Sequence, residues 1–146
     1  MISVLDVEVG VHVDGWQAAI RAACQPLLDG GAVEARYVDR CIEMVSSHGP
    51  YMVVAPGIAL AHARPEDGVS ALGVAVATLV EAVEFGHPEN DPVDLVFAFA
   101  SPDNDQHVHL LKALAEGIEE GLGVSLRQAV DARAARAALE EVLVGV

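Results

Sequence analysis

The sequence predicts an α/β fold, a mixed β-sheet flanked by helices, and three observations carry that expectation. Short Val-rich runs of strand length alternate with stretches in which apolar residues recur every three to four positions. The two longest apolar runs, residues 71–80 and 93–100, are continuous but for Thr78 and Asp94 rather than alternating, as strands buried on both faces are. Finally, 53% of the 146 residues are hydrophobic, enough to build a sizeable core. No linker, repeat or shift in composition divides the chain, so residues 1–146 are expected to form one domain.

The elements follow in order. Val7, Val9, Val11 and Val13 alternate with Glu8, Gly10 and His12, a strand with one buried face. Asp14 with Gln17 has the spacing of a capping box. The helix it opens carries Trp16, Ile20, Cys24, Leu27 and Leu28 on its apolar side and stops at Gly30-Gly31. A second helix is expected from Val33 to Ser47, with Tyr37, Val38, Cys41, Ile42 and Val45 inward and His48-Gly49-Pro50 closing it. Residues 51–55 and 58–63 read as short strands joined by the turn pair Pro56-Gly57. The continuous runs 71–80 and 93–100 flank Phe85 to Pro92, a polar, proline-bounded loop of the kind that often carries function. Asp103 and Gln106 form a second capping box for a helix to about Glu120, ended by Gly121 and Gly123. A last helix, starting near Ser125 or Asp131, reaches Val144 with Ala135, Leu139, Val142 and Leu143 as its stripe.

Charge narrows the function. A net charge of −14 with eight Lys and Arg residues disfavours nucleic acid and anionic membrane surfaces, which need clustered cations. The acidic field either steers a cationic partner surface or keeps the protein soluble. No apolar run is long enough to span a bilayer, and Arg21 is the first basic residue, so neither membrane insertion nor a signal peptide is expected and the protein is read as cytoplasmic. Cys24 and Cys41 make no C-x-x-C and are expected to be buried thiols. Without H-E-x-x-H, a G-x-S-x-G elbow, a P-loop or a dinucleotide fingerprint, no metal or cofactor is expected.

Six histidines remain as candidates for chemistry near neutral pH. His12 and His48 fall in surface positions, and His87 in the polar loop. His62 shares the strand phase of Ile58 and Leu60, an apolar face on which a histidine is usually a core residue. Arg64, two residues on, suits an anion that will sit beside the imidazole, although it could instead pair with Glu66 or Asp67. His107 and His109 are two apart on a helix and point to opposite sides. His107 lies with Leu111, Leu114 and Ile118, near a helix N-terminus that favours a bound phosphate; His109 lies with Lys112 and Glu116.

Three separated segments resemble the enzyme IIA components of the bacterial sugar phosphotransferase system, in the mannitol–fructose superfamily and its ascorbate-like branch. Residues 49–65 resemble the phosphohistidine segment with His62 at the active position. Residues 85–93 resemble a signature loop of the branch, and His107 with Leu110-Leu111 the H-x-x-L-L helix start. Asp14 to Arg21 and Tyr37 resemble parts of the family's first two helices. Ala61 stands where the family usually has Pro, and Ser46 where the mannitol-like members carry an arginine. The resemblance implies a mannitol-type enzyme IIA fold and a phosphoryl relay. His62 would accept the group from phospho-HPr, assisted by His107 and with Arg64 adding charge, and pass it to a cysteine of an enzyme IIB. A membrane enzyme IIC would then modify the incoming sugar, ascorbate being one candidate. A regulatory protein that binds partners according to its phosphorylation state is the alternative.

Overall fold

The computed structural model describes residues 2–146. In chain order the elements are β1 (Val4–Val11), α1 (Trp16–Asp29), α2 (Ala35–His48), β2 (Val53–Ala55) and β3 (Ile58–Ala61). A 3-10 turn at Pro65–Asp67 follows. Then come β4 (Gly73–Val83), β5 (Val93–Ala100), α3 (Asn104–Glu119), α4 (Leu122–Gln128) and α5 (Ala132–Val142). The strands form one mixed sheet in the order β1-β4-β5-β3-β2. β1 runs parallel to β4 and β3 parallel to β5, whereas β4–β5 and β2–β3 are antiparallel. No helix among the described residues is long and apolar enough to cross a membrane.

Both faces of the central strands are buried, and the sequence divides them by size. Ala59, Ala61, Ala75, Ala77, Ala98 and Ala100 face α1 and α2, and their small side chains let α1 approach the sheet closely. Leu60, Val74, Val76, Leu95, Phe97 and Phe99 face α3, α4 and α5 on the other side. β5 thus alternates between the layers from Leu95 on, with Leu95, Phe97 and Phe99 toward one and the smaller Val96, Ala98 and Ala100 toward the other. Each fully buried Leu or Phe of the bulky set contributes roughly 2–3 kcal/mol relative to exposure. Cys24 and Cys41 are free buried thiols on α1 and α2. A hydrogen bond with Cys24, reinforced by burial, pushes the Cys41 thiol well up.

Several sequence expectations shift for local reasons. β1 begins at Val4 and loses its regular register between Glu8 and Val11. There Gly10 adopts a positive φ and its N–H bonds the Thr78 hydroxyl. Val9, which the alternation assigns to the core, is therefore 40% exposed. The Asp14–Gln17 box does not form: Gly15 is the N-cap of α1 and no side chain caps it. Asp103 does cap α3, accepting from Gln106 N–H at 2.8 Å, while its own N–H turns to Ser101 Oγ at 3.4 Å. The expected final helix is two helices. Gly121 starts α4 at φ 106°, and Gly123 lies inside it, where an added Cβ would come within 2.9 Å of Ile58 Cδ1. Asp131 caps α5 through Ala134 N–H at 2.8 Å.

Candidate functional site

His62 lies one residue beyond the end of β3, not inside a strand reaching Ala63 as the sequence suggested. It keeps the phase of Ile58 and Leu60. The ring stacks on Phe99 of β5 with centroids 4.9 Å apart and planes 21° apart. That contact follows from the register, since Leu60 pairs with Phe97 and Ala61 with Ala98. The carboxyl ends of two parallel strands thus meet at the site, the usual place for a ligand crevice in an open α/β sheet. His107, in the first turn of α3, completes the cluster at 5.5 Å from His62 and 5.4 Å from Phe99.

One hydrogen bond decides the chemistry of His62. Its Nδ1 lies 2.9 Å from the Leu60 carbonyl oxygen. A carbonyl can only accept, so Nδ1 carries the proton and the neutral ring presents a bare lone pair at Nε2. Burial lowers the pKa of His62, and the Leu60 bond only partly opposes it; His107 acts in the same direction as burial. Burial also lowers the pKa of His107. Two facing imidazoles are thereby held neutral. His107 Nδ1 is buried and makes no hydrogen bond, alone in this respect among side-chain atoms of the described residues. Such an orphan costs about 1–3 kcal/mol, and its place in the first turn of α3 beside His62 marks it as a position kept for something other than stability.

The segment after His62 is tied down on both sides. Tyr37, 1% exposed on α2, accepts from Ala63 N–H at 3.0 Å and donates to Phe99 O at 2.7 Å. Arg64 N–H donates to Asp67 Oδ2 at 2.9 Å, and Arg36 holds Glu66 O at 3.2 Å. The Arg64 side chain makes no ion pair among the described residues; Asp67 instead has Arg40 at 3.9 Å. The turn-staple alternative for the guanidinium is thus not what the structure shows. Arg64 lines an open pocket of about 340 Å³ together with Met44, Tyr51, His62, Asn104 and His107. His109 opens instead toward a larger cleft of about 630 Å³ among α3, α4 and α5, beside Lys112 and Glu116. His12 and His48 are exposed on the surface.

The polar loop 85–92 is not part of this site. It joins the end of β4 to the start of β5, whereas His62 adjoins Phe99 near the other end of β5. Its polar groups are spent on itself. The Asp91 carboxylate accepts from Phe85, Gly86 and His87 N–H groups, and His87 Nδ1 accepts from Glu89 and Asn90 N–H. Asn90 then links the loop to β2 through Val53 O at 3.4 Å. Two contributors escaped the sequence reading, the Phe99 platform and the Tyr37 hydroxyl. Phe99 needed the β3–β5 pairing to be known. Tyr37 did leave a signal: a tyrosine at an inward helix position must find a partner for its hydroxyl.

Comparison with known proteins bears on this geometry. The profile of the family described as "Phosphoenolpyruvate-dependent sugar phosphotransferase system, EIIA 2" matches residues 1–142. The ascorbate-specific phosphotransferase system EIIA component of Shigella boydii is 39% identical over 101 residues, which span 69% of this chain and 66% of that relative. The counterpart from Escherichia coli K12 is 37% identical over the same shares of both chains. Among solved structures, the mannitol-specific cryptic phosphotransferase enzyme IIA of Escherichia coli superposes with a TM-score of 0.78 at 28% identity, covering 96% of this chain and 90% of that one. The enzyme IIAMTL of Escherichia coli, determined in complex with phosphorylated enzyme IIBMTL, gives 0.78 at 26% identity and covers 97% and 95%.

Proposed function

The chain belongs to the EIIA 2 family of the phosphoenolpyruvate-dependent sugar phosphotransferase system, and we propose that it relays a phosphoryl group on Nε2 of His62. The observation that carries the proposal is the Nδ1–H bond to Leu60 O, which leaves Nε2 as the free nucleophile of a neutral, half-buried imidazole. In the first transfer the Nε2 lone pair forms an N–P bond as the N–P bond of a phosphohistidine donor breaks. The donor imidazole keeps that electron pair. In the second, a cysteine thiolate forms an S–P bond as the His62 N–P bond breaks, and the pair returns to Nε2.

Such transfers ask for alignment and for donors around the equatorial oxygens. His107 stands across from His62 on the wall of the same pocket, where its ring can donate to a phosphoryl group held between them. Arg64 adds a cation on the same pocket wall. Phe99 and Leu60 cover the inner side of the ring and keep water from the back of the intermediate.

The donor in this reading is the phosphohistidine of HPr and the acceptor an enzyme IIB cysteine, with a membrane enzyme IIC served indirectly. The solved complex of a similar enzyme IIA with its phosphorylated enzyme IIB supports the acceptor. The ascorbate-specific relatives support ascorbate or a close analogue as the cargo. A relay between these partners is a cytoplasmic role, and residues 1–146 act as one domain in it. The test is incubation with phosphorylated HPr. Wild-type protein takes up one acid-labile phosphate and the His62→Ala variant takes up none; equal labelling of the two would overturn the proposal.

A further inference from the structure

The parallel ladder between β3 and β5 has a fixed polarity, and it ends in an unusual way. Leu95 N–H bonds Gly57 O, while Leu60 N–H points away from β5 to Met52 O at 2.8 Å. With Ile58 opposite Leu95 and Leu60 opposite Phe97, the N–H groups of Ala59 and Ala61 are directed at β5. The next rung by the same rule runs from Ala63 N–H to Phe99 O, beside His62. The Tyr37 hydroxyl occupies that rung. It accepts from Ala63 N–H at 3.0 Å and donates to Phe99 O at 2.7 Å, so one phenolic oxygen stands where a direct strand-to-strand bond belongs.

The consequence is geometric. A direct N–H···O bond holds its heavy atoms about 2.9 Å apart, and a hydroxyl inserted between them widens the gap by roughly 2 Å. The end of β3 therefore stands away from β5 at the level of His62 and no further back. Phe99, whose carbonyl the phenol holds, is also the ring on which His62 stacks. The same hydroxyl thus fixes the backbone on both sides of the imidazole. Tyr37 is buried and anchored on α2, so the spacer cannot drift.

We propose that Tyr37 is a positioning residue for His62: its hydroxyl, as a spacer rung, sets the stand-off between β3 and β5 that keeps the imidazole on Leu60 O with Nε2 bare. The proposal rests on the reading of His62 as the phosphoryl acceptor, but its first readout does not need phosphoryl transfer. Tyr37→Phe keeps the ring and removes the spacer. Ala63 N–H and Phe99 O, otherwise orphaned in the interior, then close on each other to recover the bond, and that closure moves His62 off Leu60 O.

At pH 8, ¹⁵N NMR of the imidazole should show the Nδ1–H tautomer of His62 in the wild type. In Tyr37→Phe it should show a shift toward the Nε2–H form common for free imidazole. Phosphoryl uptake from HPr should fall by up to about 10²-fold, the scale of a misplacement near 1 Å. A purely structural tyrosine would lower the unfolding midpoint and leave the tautomer alone. A folded Tyr37→Phe variant with an unchanged tautomer and uptake within threefold of wild type overturns the proposal. Should the variant not fold, the wild-type hydroxyl proton decides. The spacer predicts a slowly exchanging Tyr37 Oη–H with a nuclear Overhauser contact to Ala63 N–H, and a fast-exchanging hydroxyl overturns it. A tautomer shift in a protein whose His62 takes no phosphate would retain the spacer and discard the relay.

Discussion

Replacing His107 with Ala should separate function from stability, because the structure assigns the two effects opposite weights. On the stability side, the substitution removes ring contacts with Phe99 and His62, each worth about 0.5–1.5 kcal/mol. It also removes the buried orphan Nδ1, relieving roughly 1–3 kcal/mol, and places a better helix former in the first turn of α3. The terms nearly cancel, so the unfolding free energy should change by no more than about 1 kcal/mol. Function has no such offset. A preorganised donor lost from a developing phosphoryl charge costs about 10²–10³ in rate, equivalent to roughly 2.7–4 kcal/mol. The assay pairs urea unfolding with rapid-quench passage of ³²P from the labelled protein to an enzyme IIB. His109→Ala, exposed beside Lys112 and Glu116, is the control and should match wild type in both. The reasoning fails if His107→Ala passes phosphate within threefold of wild type, or if it loses more than about 2 kcal/mol of stability.

Burial holds the His62 pKa below the ordinary imidazole value of about 6.5. The unfolded chain therefore binds that proton at higher pH than the folded one. The contribution to stability is fully present above about 6.5 and is lost as pH falls toward the folded value. Proton NMR titration should give midpoints below 6.5 for both His62 and His107, and a His62 midpoint at or above 6.5 would contradict the buried neutral nucleophile. The net charge of −14, with the Arg64 cation beside His62 on the pocket wall, predicts steered docking of a basic phosphocarrier. The uptake rate from HPr should fall between low salt and about 0.5 M, where screening acts within a few Å. A flat profile would assign the charge to solubility and recognition to apolar contacts.

What could be read in advance follows the range of the interactions that matter. α1 and α2 were legible because their inward residues repeat with helical period, β5 because its apolar run has strand length, and Asp103 announced α3 because a cap needs only three residues of context. The alternation of large and small residues in β3, β4 and β5 hid inside apolar runs, since alanine and phenylalanine both count as apolar although they face different layers. Asp131, one of the two starts offered for the last helix, does open α5 through its own cap, whereas the packing of Gly123 in α4 against Ile58 and the bulge at Val9-Gly10 against Thr78 depend on tertiary contacts that no local window contains. His62 and His107 stood out as residues, but their facing geometry comes from the β3–β5 register and the entry of α3. The polar loop 85–92 was read as a surface loop that could carry function, and the structure shows why it stays outside the site. Its histidine and aspartate are chemically able side chains, already committed to folding their own turn.

In the proposed relay, Nε2 of His62 carries the phosphoryl group because Nδ1–H is committed to Leu60 O. The direct measurement is ³¹P and ¹⁵N NMR on imidazole-labelled protein phosphorylated by HPr. One phosphohistidine is expected, at His62, with phosphorus coupled to Nε2 and Nδ1 still protonated. Phosphorus on Nδ1 of His62, or on His107, would contradict it.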